Sequence, residues 1–519
     1  MTSRFDPFQS DRRHFLGLAA ASGAALLSRP LWAGPEPTAP VRQDQAAKTP
    51  ALINPSFGIP IEDLQAIMAI AMSRGATFAD LYFERTRSVV LMLEDDKISR
   101  ASTESDLGMG VRVVKGDAVG YAFSEILDLK AMKQAAATAA AIADGKSDAK
   151  PMTVQVGKLP KYYDIDYRYA AVDLAKKKAL VQDINSRCKQ KDPRIVKTTV
   201  AYSDSDREVL ILTSEGVLTH DQQPMVRVIA NCVAEQKGRR ETGLYNIASR
   251  HGFDLFDAKA IARLCDEAVR RTVGMFDAVT PKGGEMPVVL GAGPSGILLH
   301  EAIGHGMEAD FNRKNTSIYA TKIGKPVAEK FVTIVDDATL PDARGSIHVD
   351  DEGTLGQRTV LVDGGSMASY LHDRISAHHY GLKSTGSGRR ESFRFVPMPR
   401  MRSTYMQPGP HHRSEIIASV KKGIYCESFS NGQVNIGGGD YTFFLKTGYL
   451  IEDGKLGRPI KDVNLIGNGP DTLTKISMVA NDLVIDEGGW TCGKNGQSVP
   501  VSQGMPTVLV KSLTVGGAA

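Results

Sequence analysis

The chain has 519 residues, 42% of them hydrophobic and 24% charged, with a formal net charge of +4. This is the balance of an ordinary globular protein, long enough for two or more domains, and it gives no ground for a nucleic-acid or membrane surface. Five widely spaced cysteines, an odd number, argue against a disulfide framework.

At the N-terminus, Arg12 and Arg13 precede an apolar run from Phe15 to Leu27. The run is too short to span a bilayer but suits a signal-peptide core. "DRRHFLGL" resembles a twin-arginine export motif, from which Asp11 and Gly17 depart, and Ala33 offers a cleavage point. Residues 1–33 are therefore expected to be a leader and 34–56, rich in Pro, Ala and Gln, a flexible linker. Such a leader places the mature chain in the periplasm or otherwise outside the cytoplasm. Folding would precede export, so a thiolate could be captured by metal before it meets oxidant.

"IEDLQAIMAIAMSRG" carries apolar residues at helical spacing up to a capping Gly75. "DLYFERTRSVVLMLEDDKIS" and "GMGVRVVKGDAVGYAFS" alternate as strands, with a hairpin turn near Lys115–Asp117. Two helical stretches follow, "LDLKAMKQAAATAAAIADG" and "VDLAKKKALVQDINSRCKQ". A strand meander comes next, then an amphipathic helix with Ile261, Leu264, Cys265 and Val269 on one side. A boundary is expected near Asp277–Glu285. Beyond it the sequence is rich in glycine and short apolar strands such as "FVTIVDD" and "RTVLVDGG". The expected fold class is α+β. An N-terminal α/β domain, 57–280, precedes a strand-rich, barrel-like C-terminal domain, 281–519, with one helix laid into it.

That helix lies in "GILLHEAIGHGMEAD". His300 and His305 are five apart, so an ideal α-helix would set them about 140° apart, on different faces. A break at Gly304 or Gly306, or a one-residue π-bulge, would bring them together. Ser295 is a possible N-cap, and Leu298, Leu299 and Ile303 would anchor the helix. A catalytic zinc takes three nitrogen or sulfur ligands, keeps one position for water and lowers its pKa to about 7. Glu301 is then placed to serve as general base. The third ligand is open between Glu308, Asp310, His348, His372, His378, His379, Cys426 and Cys492. Cys188, Cys232 and Cys265 read as core packing, whereas Cys492 sits in a glycine-rich stretch where a thiolate could be exposed.

Four segments in one order, "HEAIGHGMEAD", "STGSGRRESFRFVPMPRMRSTYM", "GGGDYTFFLKTGYLIEDGKLGRPIKDVNLIGNG" and "CGKNGQSVPVSQGMPTVLVKSLTVGG", resemble the TldD/PmbA family and its TldD branch. The resemblance runs from about Ile61 to the C-terminus and is strongest after Glu285. It implies an HExxxH metallopeptidase with His300, His305 and Cys492 as ligands and Glu301 as catalytic base. It also implies hydrolysis of unfolded or small peptides, and assembly as a homo-oligomer or with a TldD/PmbA-type subunit around an enclosed cavity. The donor set suits zinc, with iron or cobalt as alternatives. Two other readings remain: a binding or assembly subunit with a structural metal, and a metal-dependent amidase acting on a non-peptide substrate.

The other motifs carry plainer expectations. Arg389 and Arg390 in "GRRES" are candidates for a peptide carboxylate or for structural ion pairs. His378 and His379 read as structural or as supports behind a site. Asp350–Glu352 fit no calcium loop and read as solvated turns, and "GNGPDTL" reads as a tight turn.

Overall fold

The computed structural model describes residues 57–143, 145 and 152–517; the leader and linker read from residues 1–56 lie outside the described residues. Alternating burial along the first half drives six long antiparallel strands. They are β1 (Phe78–Glu94), β2 (Lys97–Lys115), β3 (Ala118–Ser124), β4 (Ile195–Thr213), β5 (Val217–Gln236) and β6 (Arg239–Ser249). Two-residue turns close three of the hairpins. Asp95, Asp96, Lys237 and Gly238 all take positive φ, as the tightest hairpin turns require. The sheet runs β3-β2-β1-β4-β5-β6, and the two-residue strand Gln155–Val156 also pairs with β5.

Helices α1 (Ile61–Met72), α2 (Leu129–Ala140), α3 (Leu174–Lys191) and α4 (Ala258–Val273) cover this sheet. Asp128, Asp173 and Asp257 cap the last three, each accepting a backbone N–H from the first turn. Such a cap is worth about 1 kcal/mol. One core gathers α1 and α2 over β1 and β2. A second gathers α3 and α4 over β4 and β5, and buries Cys188, Cys232 and Cys265 as apolar packing.

The C-terminal half supplies β7 (Gly284–Leu290), β8 (Ile334–Asp337), β9 (Arg358–Asp363), β10 (Ser403–Met406), β11 (Lys422–Val434), β12 (Asp440–Glu452), β13 (Val463–Asn468), β14 (Thr491–Lys494), β15 (Gln497–Pro500), β16 (Ser502–Met505) and β17 (Val508–Gly516). Five of them close a barrel in the order β11-β7-β17-β13-β12, with β12 pairing back onto β11. A second sheet runs β9-β8-β10-β16. Between barrel and sheet lies the site helix, 297–307. Its Leu298, Leu299, Ile303 and Met307 share one core with Val288 and Phe443 of the barrel and Ile334 and Met406 of the sheet. Among the described residues no helix is long and apolar enough to cross a membrane.

Several local expectations are corrected. Ser295 caps nothing: it is buried inside the short turn Pro294–Gly296, and its hydroxyl has no partner. "GNGPDTL" forms a helix, Gly469–Thr474, started by Pro470 in its first turn. The acidic run is the largest departure. Asp350, Asp351 and Glu352 are buried: Glu352 and Asp351 meet arginines, and Asp350 accepts the backbone N–H groups of Glu352, Thr354 and Gly388. Arg112 Nη1 donates to Glu352 at 2.5 Å and its Nε to Asp80 at 2.7 Å. Arg390 donates to Asp80 at 3.0 Å and to the Asp351 carbonyl at 2.8 Å. His348 makes a separate tie: its Nδ1 lies 2.9 Å from Asp221, and its Nε2 accepts the Tyr162 N–H at 2.9 Å.

These direct, fully buried contacts join the two halves of the chain. Removing Arg112 leaves the buried Glu352 without its guanidinium partner, which costs about 3–5 kcal/mol for a buried pair. Arg112→Met is therefore expected to lower the stability of the whole chain by that amount in chemical denaturation. A loss under about 1 kcal/mol would show that Asp80 and Glu352 do not depend on Arg112.

Candidate metal centre

The site helix begins as α-helix at Ile297–Leu299, opens into a π-turn over His300–Gly304 and tightens over His305–Met307. The His305 N–H bonds to the His300 carbonyl, five residues back. That single wide turn brings the histidines to one side, with ring centroids 5.0 Å apart and nearly perpendicular. Of the two devices expected, it is the π-turn that closes the spacing. The glycines act by their size: Gly304 has helical φ, and a Cβ there would run into Met401 Sδ. A Cβ on Gly306 would stand 2.6 Å from the Tyr319 ring.

Cys492 arrives from the other end of the chain. It lies on β14, half of the hairpin β14–β15, with 2% exposure. The expected exposed stretch is thus a strand that buries its Cys492 face and exposes the other. Ligand atoms of His300, His305 and Cys492 lie within 4.8 Å of one another. Zinc bonds of about 2.3 Å to sulfur and about 2.0 Å to nitrogen at a tetrahedral angle would set those donors about 3.5 Å apart. Cys492 Sγ and His305 Nε2 are 3.4 Å apart. Two imidazoles and a thiolate are also the donor chemistry zinc takes, so the residues fit the ion.

Electrostatics favour the ligand form of the cysteine. Burial works against the Cys492 thiolate, but His305 and His300 outweigh it and hold the thiol well below its usual range. The thiolate is the form that binds metal. Burial also works against a charged His305, yet Cys492 and Glu308 raise it well above the ordinary imidazole range. Burial would raise Glu308, but Lys494 and His305 bring it down to about 2. Glu301 is half-buried beside the ligands, and burial raises its carboxyl. A Cβ on Gly432 of β11 would stand 3.2 Å from Glu301 Cγ, so this strand backs the carboxylate.

The remaining candidates stand elsewhere. Glu308 Oε2 receives the His305 Nδ1–H at 3.0 Å, and Asp310 receives Lys494 at 2.8 Å. His372 is buried against Tyr370 and Tyr380, and burial lowers it to about 4. His378 and His379 are exposed at the end of the helix Arg374–His379. Cys426 packs in the barrel core, and burial pushes its thiol up. Arg389 donates to the carbonyls of Met401 and Pro500, at 2.7 and 2.8 Å, and Arg390 to the ion-pair network above. Sequence reasoning passed over Lys494, whose two-residue spacing from Cys492 on a strand was the available signal. It also passed over Arg400, which donates to the Cys492 carbonyl at 2.6 Å.

Family models for the PmbA/TldA metallopeptidase match three stretches: domain 1 over residues 79–143, the central domain over 167–276 and the C-terminal domain over 283–517. A metalloprotease TldD homolog of Haemophilus influenzae is 39% identical, over 90% of this chain and 98% of that relative. A zinc metalloprotease TldD homolog of Saccharolobus solfataricus is 32% identical, over 61% of this chain and 68% of the relative. The crystal structure of TldE from Thermococcus kodakarensis has the same fold, with a TM-score of 0.71 at 19% identity over 88% of this chain and 100% of that one. The sequence places the chain among the metallopeptidases. The chain belongs to the PmbA/TldD family, and several of its sequence relatives carry the TldD name.

The tight seat of Gly304 gives a test of the turn. Gly304→Ala is expected to cost about 1–3 kcal/mol through overpacking and to lower zinc per chain. Met401→Ala in the same chain should restore zinc by making room. Wild-type zinc content in Gly304→Ala alone would separate the metal centre from this contact.

Proposed function

We propose that this chain is a zinc-dependent peptidase of the HExxxH type that hydrolyses unfolded or small peptides. The observation that carries the reading is the convergence of His300, His305 and Cys492 within 4.8 Å beside the half-buried Glu301. Three protein donors are the count of a catalytic zinc site, where a structural site takes four. Among the described residues no fourth His, Cys, Asp or Glu joins the group.

When bound, zinc supplies Lewis acidity that acidifies water and polarises a carbonyl. The chain supplies the rest. Glu301 takes the proton of the attacking water on its carboxylate and gives it to the leaving amine. The core around Leu299, Ile303 and Met401 excludes water from the inner side of the centre, which strengthens each charge interaction there. β11 pairs with β7 only over Ile424–Cys426, while its outer half runs past Glu301 at Gly432. An extended peptide laid along that half would bring its backbone to the carboxylate, with selection by unfoldedness more than by sequence. A TldD/PmbA-type subunit is the proposed partner, consistent with the shared fold of TldE.

Glu301→Gln tests the assignment. The variant should hold as much zinc as the wild type and lose hydrolysis of an unfolded peptide by about a hundredfold or more, the scale of a lost general base. Wild-type hydrolysis by zinc-loaded Glu301→Gln would remove Glu301 from the reaction.

A further inference from the structure

Two spacings meet at the metal centre. His305 and Glu308 stand three apart along the chain where it leaves the site helix, and Cys492 and Lys494 stand two apart on the buried face of β14. The seam between them therefore has two rungs. One is the 3.4 Å approach of Cys492 Sγ to His305 Nε2. The other is the ion pair of Lys494 Nζ with Glu308 Oε2, at 2.9 Å. The same Glu308 oxygen lies 3.0 Å from His305 Nδ1, so the rungs are joined through the imidazole.

Lys494 is the unusual member. Its side chain is 3% exposed, and an ammonium taken out of water costs several kcal/mol unless it is fully paired. Here its three N–H donors have three acceptors: Glu308, Asp310 at 2.8 Å and the Pro399 carbonyl at 3.0 Å. The acceptors come from the segment after the site helix and from the strand before Arg400. One side chain thus ties the hairpin that carries Cys492 to the segment that carries His305. His300 has no such brace: its Nδ1 is buried without a hydrogen-bond partner.

We propose that Glu308 and Lys494 are positioning residues for the metal centre. Glu308 fixes the tautomer and tilt of His305, with Nδ1–H on the carboxylate and the Nε2 lone pair toward Cys492. Lys494 holds the hairpin at ligand distance from the helix. The inference rests on the metal reading above and deepens it. Partners of this kind behind metal-binding histidines are worth about 10- to 100-fold in metal affinity.

The test uses the full chain, zinc competition against a chelator of known affinity, and the visible spectrum of the cobalt-loaded protein. Glu308→Ala should weaken zinc binding by about 10- to 100-fold and shift the cobalt bands. Glu308→Gln should recover much of both, because its amide oxygen still accepts the His305 N–H. Lys494→Met should weaken zinc binding by about tenfold although lysine is no ligand, and it decides the matter if Glu308→Ala does not fold. Wild-type zinc affinity and an unchanged cobalt spectrum in Glu308→Ala and Lys494→Met would overturn the proposal. A wild-type chain that takes up neither metal would overturn the metal reading and the brace with it. A wild-type chain that binds cobalt and zinc but cleaves no peptide would overturn the peptidase reading alone, leaving the brace to the variants.

Discussion

The bond from the His305 N–H to the His300 carbonyl is the constraint on which the site depends. Five residues cannot bring two side chains to one face of an α-helix, so the helix must widen once, at one place. Widening is tolerated only where the neighbours hold the backbone. Ile303 and Met307 are buried in the largest core, Gly304 lies against Met401 and Gly306 against Tyr319. The glycines are needed for close approach, since their φ values are ones any residue adopts. The π-turn and the packing of barrel and sheet around it are one arrangement.

A second constraint operates across the chain. Cys492 is 187 residues from His305 and reaches it on a hairpin flanked by the second sheet. Polar contacts hold it in place alongside the core that buries Cys492 and Val499. Arg400 holds the Cys492 carbonyl, Lys494 holds Glu308, and Arg389 holds the Pro500 carbonyl at the far end of the hairpin. Farther out, Arg112 and Arg390 join the N-terminal sheet to the loop of Asp350–Glu352. Buried arginines recur through this half because guanidinium forks can satisfy several carbonyls and carboxylates at once in a dry setting.

The parts of the fold with strong local signals were legible in the sequence. The alternation of β1 and β2, the N-terminal helices and the apolar anchors of the site helix all follow from their periods. The histidine pair was legible because its odd spacing demanded a π-turn or a break. Cys492 came from resemblance, since nothing in its local sequence distinguishes a ligand from a strand residue. The buried acidic run was misread because Asp350–Glu352 look solvated until Arg112, some 240 positions away, is placed beside them. Lys494 was missed for the same reason: a lysine reads as surface unless its three acceptors are known.

X-ray absorption at the zinc edge of the purified, zinc-loaded chain tests the central claim most directly. The account predicts one sulfur neighbour at about 2.3 Å and two imidazole nitrogens at about 2.0 Å, with one further light atom. A shell of oxygen and nitrogen alone, or one with two or more sulfurs, would contradict the assignment of His300, His305 and Cys492 as the ligands.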